Sequence, residues 1–193
     1  MPLILALAIL LWARLTHKPW SDLGLARPRN WITTILVGIV TGIAFKIFLK
    51  AVVMPLLGAP PVNQAFRNLT GNTTALAEMI LTVLLSAAFG EEVVFRGFLF
   101  DRFRRLFGTR TWATVLTVVL SAALFGAAHW SGQGLPGVQQ ATIIGLVFGA
   151  VYARTGNLWG LMVVHAAFDL TAVWMIYCAV SYTHLTLPTI LRV

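Results

Sequence analysis

Apolar runs recur along this chain at lengths that water-soluble folds rarely accommodate. Between Trp31 and Leu57 the only charged residues are Lys46 and Lys50, and further stretches run over Pro2 to Ala13, Thr74 to Gly90, Thr111 to Trp130, Val138 to Ala153 and onward from Leu158. About 20 apolar residues in a helix cross the hydrocarbon core of a bilayer. The chain is 59% hydrophobic and 10% charged, with a mean hydropathy of +0.85, whereas a soluble domain carries about 25% charged residues. The expectation is an all-α, polytopic transmembrane bundle of about six helices, forming a single membrane-embedded domain over residues 1–179.

The formal charge is +8, from 14 Lys and Arg against 6 Asp and Glu. Placed along the chain, this excess points away from nucleic acid and towards lipid as a partner. Arg14, Lys18, Arg27, Arg29, Arg102, Arg104, Arg105 and Arg110 fall in two connecting segments, as the positive-inside rule expects of cytoplasmic loops. The segment Gly58 to Thr73 has turn chemistry without a basic cluster, so it is expected to be an outward-facing loop. Cys178 is the single cysteine, which precludes an intramolecular disulfide and a Cys-based zinc site. Met1 to Trp12 has no positive residue ahead of its apolar stretch and no small-x-small cleavage pattern, so it reads as a helix rather than a signal peptide.

Lys46 and Lys50, four apart, share a helix face and are expected to snorkel near a helix end. The third run continues past Gly90 into Glu91-Glu92-Val93-Val94-Phe95-Arg96 and on to Phe107, predicting a long third helix with an amphipathic, basic end. Ser131 to Gly137, with three glycines and Pro136, is expected to break the chain between the fourth and fifth helices. The final segment, 180–193, abandons the apolar pattern. Val180 to Thr189 resembles the in-frame translation of a transposase sequencing adapter, so this tail is expected to be non-native and the native chain to continue differently after Ala179; an ordinary polar tail is the alternative.

Of the six acids, Glu78, Glu91, Glu92 and Asp169 lie in or against apolar helices. A charge at bilayer depth costs at least about 2.5–3.5 kcal/mol, so these groups are expected to converge on one another, on water or on a basic partner. Glu92 with Arg96, Phe125 with His129, and His165 with Asp169 are each four residues apart and share a helix face. Counting from a turn near Thr109, Glu91 and His129 lie about 27 and 30 Å along their helices, hence at one level. His165 reaches that level only if the basic end of the third helix projects beyond the membrane core. A carboxylate and an imidazole on adjacent helices can share a water and deprotonate it for attack on a carbonyl, and a second imidazole can stabilise the resulting oxyanion. That inventory suits a peptide or ester hydrolase. A lone histidine in an apolar helix is more often a packing residue, and a Glu92–Arg96 pair also serves as a structural bridge.

Three motifs occur in order: E-E-x-x-x-R at Glu91 to Arg96, F-x-x-x-H at Phe125 to His129, and H-x-x-x-N/D at His165 to Asp169. Over about half of the chain, roughly Ala75 to Trp174, the sequence resembles the CAAX-protease and bacteriocin-processing (CPBP, or Abi) intramembrane endopeptidases, which include the type II CAAX prenyl endopeptidases. The resemblance implies an intramembrane protease of glutamate/histidine type. In it Glu91 and His129 activate the water, His165 and Asp169 form the oxyanion site, and Glu92, Arg96 and Phe125 give support. It implies a peptide or membrane-protein tail as substrate and, for a bacterial source, the inner (plasma) membrane. Asp169 departs from the usual Asn of the prenyl endopeptidases. An ionised carboxylate would repel an oxyanion, so Asp169 is either protonated or orients His165, the latter being preferred. No cofactor is expected to be required, and zinc on Glu91, His129 and His165 is the alternative. A small proton- or cation-coupled transporter and an inactive membrane scaffold are the competing functions.

Overall fold

The computed structural model describes residues 1–60 and 64–186, with side chains described for 1–60 and 65–178. Among the described residues every long element is helical: α1 (Pro2–Leu15), α2 (Trp31–Leu56), α3 (Thr73–Phe107), α4 (Thr111–Ala128), α5 (Trp130–Thr155) and α6 (Leu158–Thr186). Helices α2 to α6 contain five stretches long and apolar enough to cross a bilayer, and α1 is shorter. The chain is an integral membrane protein built as a helical bundle. The expected adapter-like tail lies largely outside the described residues: the α6 backbone is described to Thr186, and side chains beyond 178 are not.

Local chemistry sets the helix starts. The Asn30 side chain accepts the Thr33 N–H at 3.1 Å and the Asn72 side chain accepts the Ala75 N–H at 3.1 Å, each satisfying one of the donors that a helix N-terminus leaves free. The basic connection between α1 and α2 folds into a 3₁₀ turn at Trp20–Leu23, ending at Gly24 with φ +85. Gly24 then accepts the Leu158 N–H at 2.8 Å, and the Asn157 amide donates to the Ala26 carbonyl at 2.8 Å. These bonds pin the start of α6 to this loop.

Helix α3 is α-helical at both ends and π-helical over Val83–Phe98. This i→i+5 winding is rare and concentrates at functional sites; here it carries Glu91, Glu92 and Arg96. Gly90 lets α1 approach closely: a Cβ there would lie 2.8 Å from the Leu3 amide nitrogen. A Cβ on Gly97 would lie 2.9 Å from the Leu23 carbonyl and 3.3 Å from Leu158. The first turn of α6 is therefore level with Gly97, and the basic stretch Leu99–Phe107 runs on past it, as the placement of His165 required. Lys18 crosses to Asp101 at 2.7 Å, and Asp101 also pairs with Arg102 and Arg105.

The expected break between the fourth and fifth runs falls at Gly134 (φ 61, ψ −161), but it is a kink with helical turns on both sides, Trp130–Thr155 including Pro136, and not a loop over the whole of Ser131 to Gly137. Proline is tolerated near a helix start because the amide it lacks has no partner there, and glycine supplies the one conformation that an L side chain resists. Lys46 does not snorkel but is buried, at 6% exposure. Its helix packs through Gly42 onto α6, where a Cβ would meet the Val164 carbonyl at 2.4 Å, and this close approach folds the lysine inward. Within the expected loop Gly58 to Thr73, the described part contains a short 3₁₀ segment, Gln64–Leu69.

Candidate active site

The π-helical segment of α3 directs its two adjacent glutamates differently. Glu92 is fully buried, and its Oε1 accepts from Arg96 Nη1 at 3.0 Å and from His165 Nδ1 at 2.7 Å. Arg96, also fully buried, stacks its guanidinium over Phe125 at 4.4 Å and faces Phe148 at 5.6 Å. The Arg96 guanidinium and the His165 ring meet on one carboxylate, closed by aromatic faces, and form a buried polar cluster behind the site.

Glu91, by contrast, lines a cavity of ≈ 370 Å³ together with Phe125, His129, His165 and Asp169. Its Oε2 lies 3.9 Å from His165 Nε2, and Asp169 Oδ2 lies 3.4 Å from the same nitrogen. Both ring nitrogens of His165 thus face carboxylates, an arrangement in which the imidazolium form can donate on both sides. Phe148 meets its ring edge-on at 5.6 Å.

His129 occupies the junction between α4 and α5, where its backbone (φ −90, ψ −6) closes one helix and opens the next. Its Nδ1 is 2.8 Å from the Phe125 carbonyl. A carbonyl only accepts, so Nδ1 carries the hydrogen and the neutral ring keeps a free lone pair on Nε2. The Phe125 ring packs against it at 4.8 Å, edge to face. Ser121 donates to the Phe95 carbonyl at 3.1 Å, fixing the level of α4 against α3.

All seven sequence-predicted residues belong to this region: Glu91, Phe125, His129, His165 and Asp169 on the cavity wall, Glu92 and Arg96 directly behind it. Among the described residues, no group of three or more His, Cys, Asp or Glu side chains is arranged to hold a metal ion. Residue-level reasoning missed the bond from His165 to Glu92, having assigned Glu92 to Arg96 alone. It also missed Lys46, Lys50 and Gln140, which line the same cavity. The signal was present for the lysines, since an ionisable residue inside a membrane segment marks a functional site by default.

Residues 73–171, about half of the chain and including every one of those seven positions, match the family described as Type II CAAX prenyl endopeptidase Rce1-like. A protein from Escherichia coli described as "Uncharacterized 24.3 kDa protein" is 27% identical over 130 residues, covering 67% of this chain. The aligned part spans 58% of that relative's own length. No solved structure matches the chain. Carrying the family's match across α3 to α6, the helices that bear the acids and histidines of the cavity, the chain belongs to the Rce1-like family of type II CAAX prenyl endopeptidases.

Proposed function

We propose that this protein is an intramembrane endopeptidase in which Glu91 and His129 activate a water molecule and His165, oriented by Asp169, stabilises the oxyanion. The observation that carries the reading is the approach of Glu91 and Asp169 to the same His165 nitrogen, at 3.9 and 3.4 Å, on the wall of the cavity that His129 also lines. A carboxylate and an imidazole with a free lone pair that line one cavity can share a water and act on it as general base. An N–H already fixed on the wall of that cavity and aimed at the forming oxyanion stabilises it with little reorganisation during the reaction.

The water oxygen attacks the carbonyl carbon of the scissile peptide bond as its proton passes to the Glu91–His129 pair. The carbonyl oxygen, now an oxyanion, accepts from His165 Nε2–H. Collapse breaks the C–N bond, and the stored proton moves to the leaving amine. Glu92 and Arg96 keep His165 in place from behind. Asp169 supplies negative charge that favours the protonated ring. The substrate class is a peptide or a membrane-protein tail, and the reading requires no metal.

The test is hydrolysis of a quenched-fluorescent peptide library by the purified protein in detergent. Wild type is expected to cleave, while Glu91→Gln and His129→Ala each lose at least about 10²-fold, the usual scale of general-base catalysis. Exhaustive chelation is expected to leave hydrolysis intact. Ion flux in liposomes without any cleavage overturns the proposal in favour of transport, and activity restored by zinc alone overturns its metal-free form.

A further inference from the structure

The cavity is polarised. Facing the carboxylates, its wall carries Lys46, Lys50 and, at an exposed position, Arg67. Lys46 donates to Gln140 Oε1 at 3.3 Å and sits 4.5 Å from the centroid of the Phe168 ring. An ammonium has three donors, so one neutral acceptor and a ring face leave Lys46 with donors to spare, and Asp169, the carboxylate that acts on it through space, stands beyond ion-pair distance. Among the described residues, no carboxylate oxygen comes within 4.0 Å of the side-chain nitrogen of Lys46 or Lys50.

Lys50 lies one turn further along α2, in a π-helical stretch, Leu49–Val53. It is half-buried, and with Gln133 and Gln140 it also lines an adjoining cavity of ≈ 300 Å³. Two lysines on one helix face, both lining the interior cavity where charge is costly, turn spare N–H donors towards whatever occupies it. Neither lysine falls within the residues matched by the family, 73–171.

We propose that Lys46 and Lys50, with Gln140 holding the Lys46 ammonium, form a subsite for a carboxylate carried by the peptide substrate. The inference rests on the peptidase reading, since the anions of an unmodified peptide are carboxylates. Two sources present that chemistry: the chain terminus and an Asp or Glu side chain. The subsite sets the register of the bound segment against Glu91 and His129, so it selects where the chain is cut.

The experiment uses the full chain carrying Glu91→Gln, so that binding is read without turnover, and a short apolar fluorescent peptide in three forms. These are the free C-terminal acid, the C-terminal amide, and the amide with one internal Glu. Fluorescence anisotropy in detergent is expected to give the preferred acid roughly ten- to hundredfold tighter binding than the plain amide, as a charge-assisted hydrogen bond provides. The other acid form then identifies the source. Adding Lys46→Met should bring the ratio close to one, and Lys50→Met, at a half-exposed position less exposed to folding defects, should reduce it. Equal affinity for all three peptides, or a ratio that both lysine variants leave unchanged, overturns the subsite. Wild-type cleavage without carboxylate preference sinks the subsite and spares the peptidase reading; carboxylate preference without wild-type cleavage does the reverse.

Discussion

His165 is where the electrostatics of this protein meet, with Glu92 on one ring nitrogen and Asp169 and Glu91 on the other. The neighbouring glutamates have separable duties. Glu92 is fully buried between Arg96 and His165, so Glu92→Gln strips the counter-charge from a buried guanidinium. Losing one partner of such a pair costs about 3–5 kcal/mol, a loss that thermal unfolding in detergent will register. Glu91 makes no hydrogen bond of this kind, and Glu91→Gln is expected to change stability by less than about 1 kcal/mol while removing hydrolysis. Asp169→Asn tests the remaining acid. His165 Nε2 lies 3.4 Å from Asp169; on the proposed orienting role, kcat is expected to fall at least about tenfold with KM little changed, because the interaction is strongest in the transition state. Unchanged kcat would mean that Asp169 acts in its protonated form. Each of these residues was legible in the sequence, because an acid or a histidine in an apolar run has few reasons to be there. The Glu92–His165 bond was not, because it joins α3 to α6 and no local spacing encodes it.

At the scale of elements, the contact between α2 and α6 decides where Lys46 points. Gly38 and Gly42 form a small-x-x-x-small stripe that lets two membrane helices approach backbone to side chain, and a Cβ on Gly42 would lie 2.4 Å from the Val164 carbonyl and 2.7 Å from the Ala167 methyl. Gly42→Leu is expected to destabilise by about 1–3 kcal/mol, the usual cost of overpacking, seen as a lower thermal midpoint in detergent. The displaced α2 should also weaken anionic-peptide binding. The stripe itself is visible in the sequence, but its partner helix is not. The same holds for the kink at Gly134: turn residues announced an irregularity, and only packing made it a bend inside α5 instead of a loop.

Across the whole molecule, charge and cavity are arranged end to end. Lys18, Arg102 and Arg105 gather around Asp101 at the end where α3 finishes and α4 and α6 begin, and Arg14, Arg27, Arg29, Arg110 and Arg154 belong to the same end. The cavity extends the other way, from Glu91 and His165 to Phe66, Arg67 and Thr70 in the connection between α2 and α3. On the positive-inside rule the basic end is expected on the cytoplasmic side and the cavity mouth on the opposite side. Intact cells expressing the protein are therefore expected to cleave a membrane-impermeant quenched peptide at a rate that Glu91→Gln abolishes, and a cysteine at Thr70 should react with an impermeant maleimide in those cells. Labelling of that cysteine only after lysis would reverse the orientation.

Hydrophobicity along the chain was sufficient to dictate a membrane bundle, because lipid admits only helices with self-satisfied backbones, or closed barrels, across its core. The cost of intramembrane charge singled out its acids and histidines for the same reason. Tertiary structure alone decided which ring nitrogen faces which carboxylate and that two lysines turn inward to a common cavity. Those outcomes depend on how closely α2, α3 and α6 approach, and that closeness is set by side chains meeting across helices distant in sequence.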